Sequence, residues 1–207
     1  DVYKRQGPSR SMTRSEAAAI FARLLAEKNG DTISTAANTK FADIPAHAWY
    51  SGYVKYLSNN GITYGKSKTI FAPNDAITRA EFTTMAVRFF DVYGDGDAEI
   101  MEQFSGFNDV SSGYWAAEYI KYAALHGWIN GYGDGSFHAD REINRAEVVT
   151  IVNRLLGREA DEDYIADNLR KLNTFPDVTK RHWAYYAVME AANAHTAVLG
   201  ESESWSK

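Results

Sequence analysis

The chain has 207 residues, a formal net charge of −5, 45% hydrophobic residues and 14% aromatic ones. That apolar share excludes disorder, and the acidic balance excludes a global basic field for nucleic acid or an anionic membrane. The absence of cysteine excludes disulfides and thiolate metal sites, and no run of residues approaches the roughly 18 apolar positions of a membrane span.

Taken in chain order, the first element opens at Thr13-Arg14-Ser15-Glu16. Behind it Ala17, Ile20, Phe21, Leu24 and Leu25 recur at i, i+3, i+4, i+7 and i+8, one apolar stripe of a helix. Residues 1–30 read as the second half of a repeat, and residues 31–40 as a polar linker without periodicity. Phe41-Ala42-Asp43-Ile44 then begins a complete copy. A helix is predicted from Trp49 to Asn60, stopped by Gly61 in a left-handed conformation. A Gly-rich stretch to Phe71 predicts turns with very short strands. A second helix opens at Thr78-Arg79-Ala80-Glu81 with the stripe Phe82, Met85, Ala86, Phe89 and Phe90.

After a linker over 93–106 the same pattern returns. It runs through Phe107-Asn108-Asp109-Val110, a helix from Trp115 to His126, Gly127, Phe137 and Asn144-Arg145-Ala146-Glu147. The stripe is now Val148, Ile151, Val152, Leu155 and Leu156. A third linker, 158–174, precedes Phe175-Pro176-Asp177-Val178 and a helix from Trp183 to Ala194, where His195 takes the place of the stop glycine. The linkers at 94–106 and 159–174 each predict a short helix (Ile100, Met101, Phe104; Ile165, Leu169, Leu172). Trp49, Trp115 and Trp183 are spaced by 66 and 68 residues, and each complete copy places its Thr or Asn cap 29 residues after its Trp. The copies therefore divide the chain into 1–30, 41–92, 107–157 and 175–207. A helix pair of this size cannot bury its stripe alone, so the copies share a core. The expected fold is all-α, a pseudo-threefold bundle in which the N-terminal half-repeat completes the C-terminal one.

The box residues divide by chemistry. Thr13, Thr78 or Asn144 offers a side-chain oxygen to a helix N–H, and Glu16, Glu81 or Glu147 returns a bond to the cap. Capping does not need Arg14, Arg79 or Arg145, and the helix dipole disfavours a cation there. A guanidinium beside free N–H groups makes an anion site, and an internal salt bridge to a neighbouring Asp is the competing reading. Asp43, Asp109 and Asp177 stand six residues before their Trp, too far for a simple cap, and suit loop N–H groups or an Arg of another copy. Trp49, Trp115 and Trp183 ordinarily belong in a core, and otherwise wall a sugar site.

Other signals are weaker. Gly131 to Gly135 has the glycines of a phosphate loop but follows no strand of a βαβ unit, so it reads as a turn. Asp95, Asp97 and Glu99 have Ile100 and Gly106 where a calcium loop needs Gly and Glu, so they read as a solvated acidic linker. The five histidines show no metal spacing, no nucleophile elbow is present, and no catalytic set, metal or cofactor is indicated.

The run Phe-x-Asp-Val/Ile, Trp, Gly-Tyr-x-Asp-Gly-x-Phe and Thr-Arg-Ala-Glu resembles the S-layer homology family over almost the whole chain outside the linkers, with 107–156 the best fit. The resemblance implies three modules in a pseudo-trimeric α bundle that anchors exported proteins to the bacterial cell envelope. It implies binding of secondary cell-wall polysaccharide, often pyruvylated and linked to peptidoglycan, in grooves between copies. It further implies that Arg14, Arg79 and Arg145 contact the ligand, and that Asp43, Asp109, Asp177 and the three repeated Trp residues build the grooves. Neighbouring surface-layer proteins are an alternative partner, with the chain then a lattice assembly module. The location implied is extracellular, in the wall or surface layer, and the chain reads as a fragment whose signal peptide lies elsewhere. An enzymatic domain would belong to the rest of the parent polypeptide. Four departures point to two competent grooves rather than three: the first copy lacks its Trp half, Lys66-Ser67-Lys68-Thr69 replaces the Tyr-x-Asp-Gly loop, Asn144 replaces Thr, and the last copy has no Arg box.

Overall fold

The computed structural model describes residues 5–94, 104–198 and 204–206. The fold is all-α. The helices are α1 (Arg14–Asn29), α2 (Ser51–Asn59), α3 (Arg79–Tyr93), α4 (Ala117–Leu125), α5 (Arg145–Leu155), α6 (Glu162–Asn168) and α7 (Tyr185–Ala192). A small antiparallel ribbon pairs β1 (Thr196–Val198) with β2 (Ser204–Ser206). The helix predicted around Ile100 and Met101 and the acidic residues 95, 97 and 99 lie outside the described residues.

Each box helix starts where local chemistry requires. Thr13, Thr78 and Asn144 accept from the N–H of Glu16, Glu81 and Glu147, and each glutamate bonds back to the cap N–H. Most of the predicted stripe residues are buried, with Phe21, Leu25, Phe82, Phe89 and Val148 fully enclosed, while Ile20, Leu24, Phe90, Val152 and Leu156 are half-buried. The Trp helices begin two residues later than expected. Ser51, Ala117 and Tyr185 N–H groups bond to the carbonyls three residues back, at Ala48, Tyr114 and His182. Each Trp therefore stands in a tight turn that leads into its helix. At the far end, Gly61 (φ 73°) and Gly127 (φ 68°) are left-handed stops. Ile62 and Trp128 N–H groups close the motif on Leu57 and Ala123 carbonyls.

The chain forms two compact units, residues 11–143 and residues 1–10 with 144–207. In the first, α1 packs on α2, α3 on α4, and α1 on α3. Phe21 meets Phe82 and Phe89 at ring distances of 5.3 and 4.9 Å. The residues just before the three caps close a ring of backbone bonds: Met12 N–H to Ile143 C=O, Ile143 N–H to Ile77 C=O, and Ile77 N–H to Met12 C=O. This threefold junction lies within residues 11–143. In the second unit α5 packs on α7. Ile165, Val178, Tyr185, Val188, Met189 and Trp205 form the core. Ile165 and Leu172 of the predicted linker helix pack there, but Leu169 is exposed. The helix ends at Asn168 and a 3-10 turn over Leu169–Lys171 breaks its periodicity.

Candidate functional site

The three aspartates do one job three times. Asp43 accepts the N–H groups of Phe71 and Ala72 at 2.9 and 2.6 Å. Asp109 accepts those of Phe137 and His138, both at 2.7 Å. Asp177 accepts those of Gln6 and Gly7 at 3.0 and 2.8 Å. The second residue of each pair is left-handed, with φ of 59° at Ala72, 54° at His138 and 57° at Gly7. A carboxylate that takes two successive N–H groups fixes a backbone that Ala and His otherwise avoid. Burial would raise the Asp109 carboxyl, but the Phe137 and His138 N–H groups outweigh it and hold it below the usual range. Asp177 is lowered in the same way, with burial opposed by Gly7 and Gln6.

The first residue of each pair offers its carbonyl to the box arginine. Arg14 Nε donates to Phe71 C=O at 2.7 Å, Arg79 Nε to Phe137 C=O at 2.8 Å, and Arg145 Nε to Gln6 C=O at 2.7 Å. Asp and Arg thus grip the same loop residue at its N–H and its C=O, a backbone knot made three times. Where an ion pair forms, its acid is the capping glutamate: Arg14 Nη1 lies 2.9 Å from Glu81 Oε1. Arg79 Nη2 donates to Asn130 C=O at 3.1 Å, and its guanidinium lies 4.4 Å from the Phe137 ring centre. Arg14 and Arg79 are 4% and 5% exposed. Arg145 is half-buried.

The helix ends are not open anion cradles. Arg14 and Ser15 N–H groups bond to Asp75 and Pro73 carbonyls, Arg79 and Ala80 to Arg141 and Ala139, and Arg145 and Ala146 to Arg10 and Pro8. The loop carbonyls fill the places that an outside anion would take.

The Trp rings correct the core expectation. Trp49, Trp115 and Trp183 are 52%, 57% and 63% exposed. The entry turn swings each ring off the helix face that packs.

Around the second knot the surface deepens to a cavity of about 500 Å3 lined by Asp109, Tyr114, His138, Ala139, Asp140 and Arg141. Tyr114 Oη donates to Asp140 at 2.7 Å. Burial and that carboxylate push the Tyr114 hydroxyl up to about 12. Arg141 Nη2 donates to Tyr132 Oη at 2.6 Å, and the Tyr132 and His138 rings lie 4.8 Å apart. In the first copy the matching positions hold Ala48, Asn74 and Asp75, and Lys66 pairs with Asp75 at 3.3 Å. Repeat reading passes over Tyr114, His138, Asp140 and Arg141 because they differ between copies; the adjacent aromatics Tyr114-Trp115 are the signal that marks them.

Gly131 to Gly135 is a turn, closed by Gly135 N–H to Tyr132 C=O and by Asp134 on the Ser136 N–H and hydroxyl. Among the described residues no cluster of His, Asp or Glu is placed to hold a metal ion, and no described helix is long and apolar enough to cross a membrane.

Comparison with known proteins finds two tandem repeats. The S-layer homology domain model matches residues 40–83 and 106–149. Cell surface glycoprotein 1 of Acetivibrio thermocellus is 32% identical over 204 residues, 95% of this chain and 8% of that protein. The cellulosome-anchoring protein of the same organism is 30% identical over 197 residues, 94% of this chain and 41% of the relative. The surface-layer 125 kDa protein of Lysinibacillus sphaericus is 31% identical over 153 residues, 72% of this chain and 12% of its own length. The chain spans less than half the length of each of these relatives.

Proposed function

Because this chain belongs to the S-layer homology domain family, we propose that it is a non-catalytic module that holds its parent protein at the bacterial cell surface by binding wall polysaccharide. One observation carries the reading: three Trp rings, each more than half exposed, recur at the same turn six residues after a clamping Asp. Large apolar rings kept in water three times over serve a ligand rather than the core.

The mechanism follows from the knot. Asp and Arg fix one loop residue, so the surface beside each Trp is rigid before a ligand arrives and little ordering entropy opposes binding. An indole face takes the C–H face of a sugar ring, and its N–H reaches a hydroxyl. A carboxylate on the polymer, as in a pyruvate ketal, meets the guanidinium of Arg145, the half-buried one of the three. In the 500 Å3 cavity Asp109 and Asp140 accept sugar hydroxyls, while Arg141 and His138 face the anionic group. The activity belongs outside the cytoplasm, in the wall.

The test is binding to purified cell walls before and after mild acid removes their ketals, and after the polymer itself is stripped. Binding weakened at least tenfold by the first treatment and abolished by the second is expected. Undiminished binding to stripped walls contradicts glycan recognition and leaves protein–protein assembly as the function.

A further inference from the structure

A second row of arginines follows the first. Arg23, Arg88 and Arg154 stand nine residues after Arg14, Arg79 and Arg145. In two copies the partner is the tyrosine four residues beyond the exposed Trp. Arg23 Nε donates to Tyr53 Oη at 3.2 Å, with the guanidinium 5.0 Å from the ring centre. Trp49 meets the same Tyr53 ring at 6.3 Å. Arg88 donates from Nε and Nη2 to Tyr119 Oη at 3.3 and 3.1 Å. Its guanidinium lies 4.9 Å from the Tyr119 ring centre and 4.7 Å from that of Tyr64. In the last copy Ala187 stands in the tyrosine's place.

A clamp between packed helices accounts for Arg88 and Tyr119. It does not account for Tyr64, a ring 56% exposed whose centre lies as close to the same guanidinium. Nor does it account for the cavity of about 350 Å3 beside Tyr119. The floor of that cavity is Val87, Tyr119, Tyr122 and Leu125, and its exposed rim is Asp91, Glu118 and Lys121. Trp115 stands in the turn entering α4, three and four residues before Glu118 and Tyr119. Tyr114, just before that turn, lines the 500 Å3 cavity of the second knot, so both cavities border the start of α4.

We propose that the α3–α4 face is a second saccharide subsite, separate from the knot, that takes an uncharged pyranose of the same polymer. The inference rests on the wall-polysaccharide reading above. A pyranose has a C–H face and a rim of hydroxyls. The aromatic floor takes the face, Asp91 and Glu118 accept hydroxyls, and Lys121 donates to one. At the knot Asp109 is taken up by two backbone N–H groups and Asp140 by Tyr114, whereas Asp91 and Glu118 are exposed carboxylates that repel a ketal carboxylate, so the charged unit stays at the knot and its uncharged neighbour lies here. Arg88 is a positioning residue that fixes the Tyr119 ring and hydroxyl.

The experiment measures binding of purified wall polysaccharide, and of its single ketal-bearing repeat unit, by calorimetry. The variants are Glu118→Ala/Lys121→Ala, both at exposed positions, and Trp115→Ala. The rim variant is expected to lose about tenfold in polymer affinity and to bind the single unit as the parent chain does. Trp115→Ala is expected to weaken both ligands. Equal polymer affinity in the rim variant and the parent, with Trp115→Ala still weakened, overturns the second subsite alone. Loss of single-unit binding in the rim variant overturns the separation of the two sites. If Trp115→Ala weakens neither ligand, the anchoring reading fails and this inference with it.

Discussion

The repeated aspartate acts on backbone, and its strength is therefore tied to pH. Asp109 accepts two N–H groups and its carboxyl is held below the usual range. A lowered native value means that the contribution is present at neutral pH, above the unfolded value of about 3.9, and is lost as pH falls through the native value. Asp109→Asn keeps one acceptor and loses the other, so it lowers stability by about 1–2 kcal/mol at pH 7. Urea titrations across pH should show the gap between parent and variant widest near neutrality and closing below about pH 4. A gap independent of pH contradicts the clamp. The left-handed residue is a second handle. Ala72 sits at φ 59° where the last knot has Gly7. Relief of about 1–2 kcal/mol of strain is set against about 0.4–1 kcal/mol of added unfolded-chain entropy. Ala72→Gly should thus be neutral or stabilising by up to about 1.6 kcal/mol, whereas a drop in the urea midpoint would mean no strain is stored there. The sequence excluded a cap role for the aspartate, since six residues to the Trp is too far, and left loop N–H groups and an Arg of another copy both open as its target. It did not reveal the strain, because only one of the three residues is a glycine.

At the scale of elements, what was local was legible. The capping boxes, the stripes and the glycine stops follow from contacts within a few residues, and they stand where the pattern puts them. Pairing was not legible. Periodicity shows that a stripe is buried but not against what. Each Trp helix packs on the box helix of the copy before it: α2 on α1, α4 on α3, α7 on α5. The Trp orientation stayed open between core and ligand wall for a related reason, since an entry turn decides it and the helical period does not. The glycines of the loops have a packing role that composition cannot show. A Cβ on Gly131 would stand 2.5 Å from both the Phe107 ring and the Ser136 carbonyl. Gly131→Ala should therefore cost about 1–3 kcal/mol in the urea midpoint. It should also raise amide exchange over residues 131–138, the loop that presents the Phe137 carbonyl to Arg79. Unchanged stability would show that the Phe107 ring is not seated under the loop.

Over the molecule as a whole, repetition has produced similar scaffolds with dissimilar surfaces. The backbone ring formed by Met12, Ile77 and Ile143 lies within residues 11–143. The third knot, from Asp177 and Arg145 to residues 6 and 7, lies within the other unit. Closure of the last copy by N-terminal residues was foreseeable from counting half-repeats. The surfaces were not foreseeable, because Tyr114, His138, Asp140 and Arg141 are not repeated. The internal bonds of Arg14 and Arg79 shift weight from the guanidinium to the exposed indoles. The most direct measurement is therefore the affinity of the chain for purified wall polysaccharide with Trp49, Trp115 and Trp183 all replaced by Ala. The rings lie mostly in water, so circular dichroism and thermal unfolding should stay close to those of the parent while binding falls at least a hundredfold. A folded triple variant that binds the polymer as tightly as the parent would contradict the account.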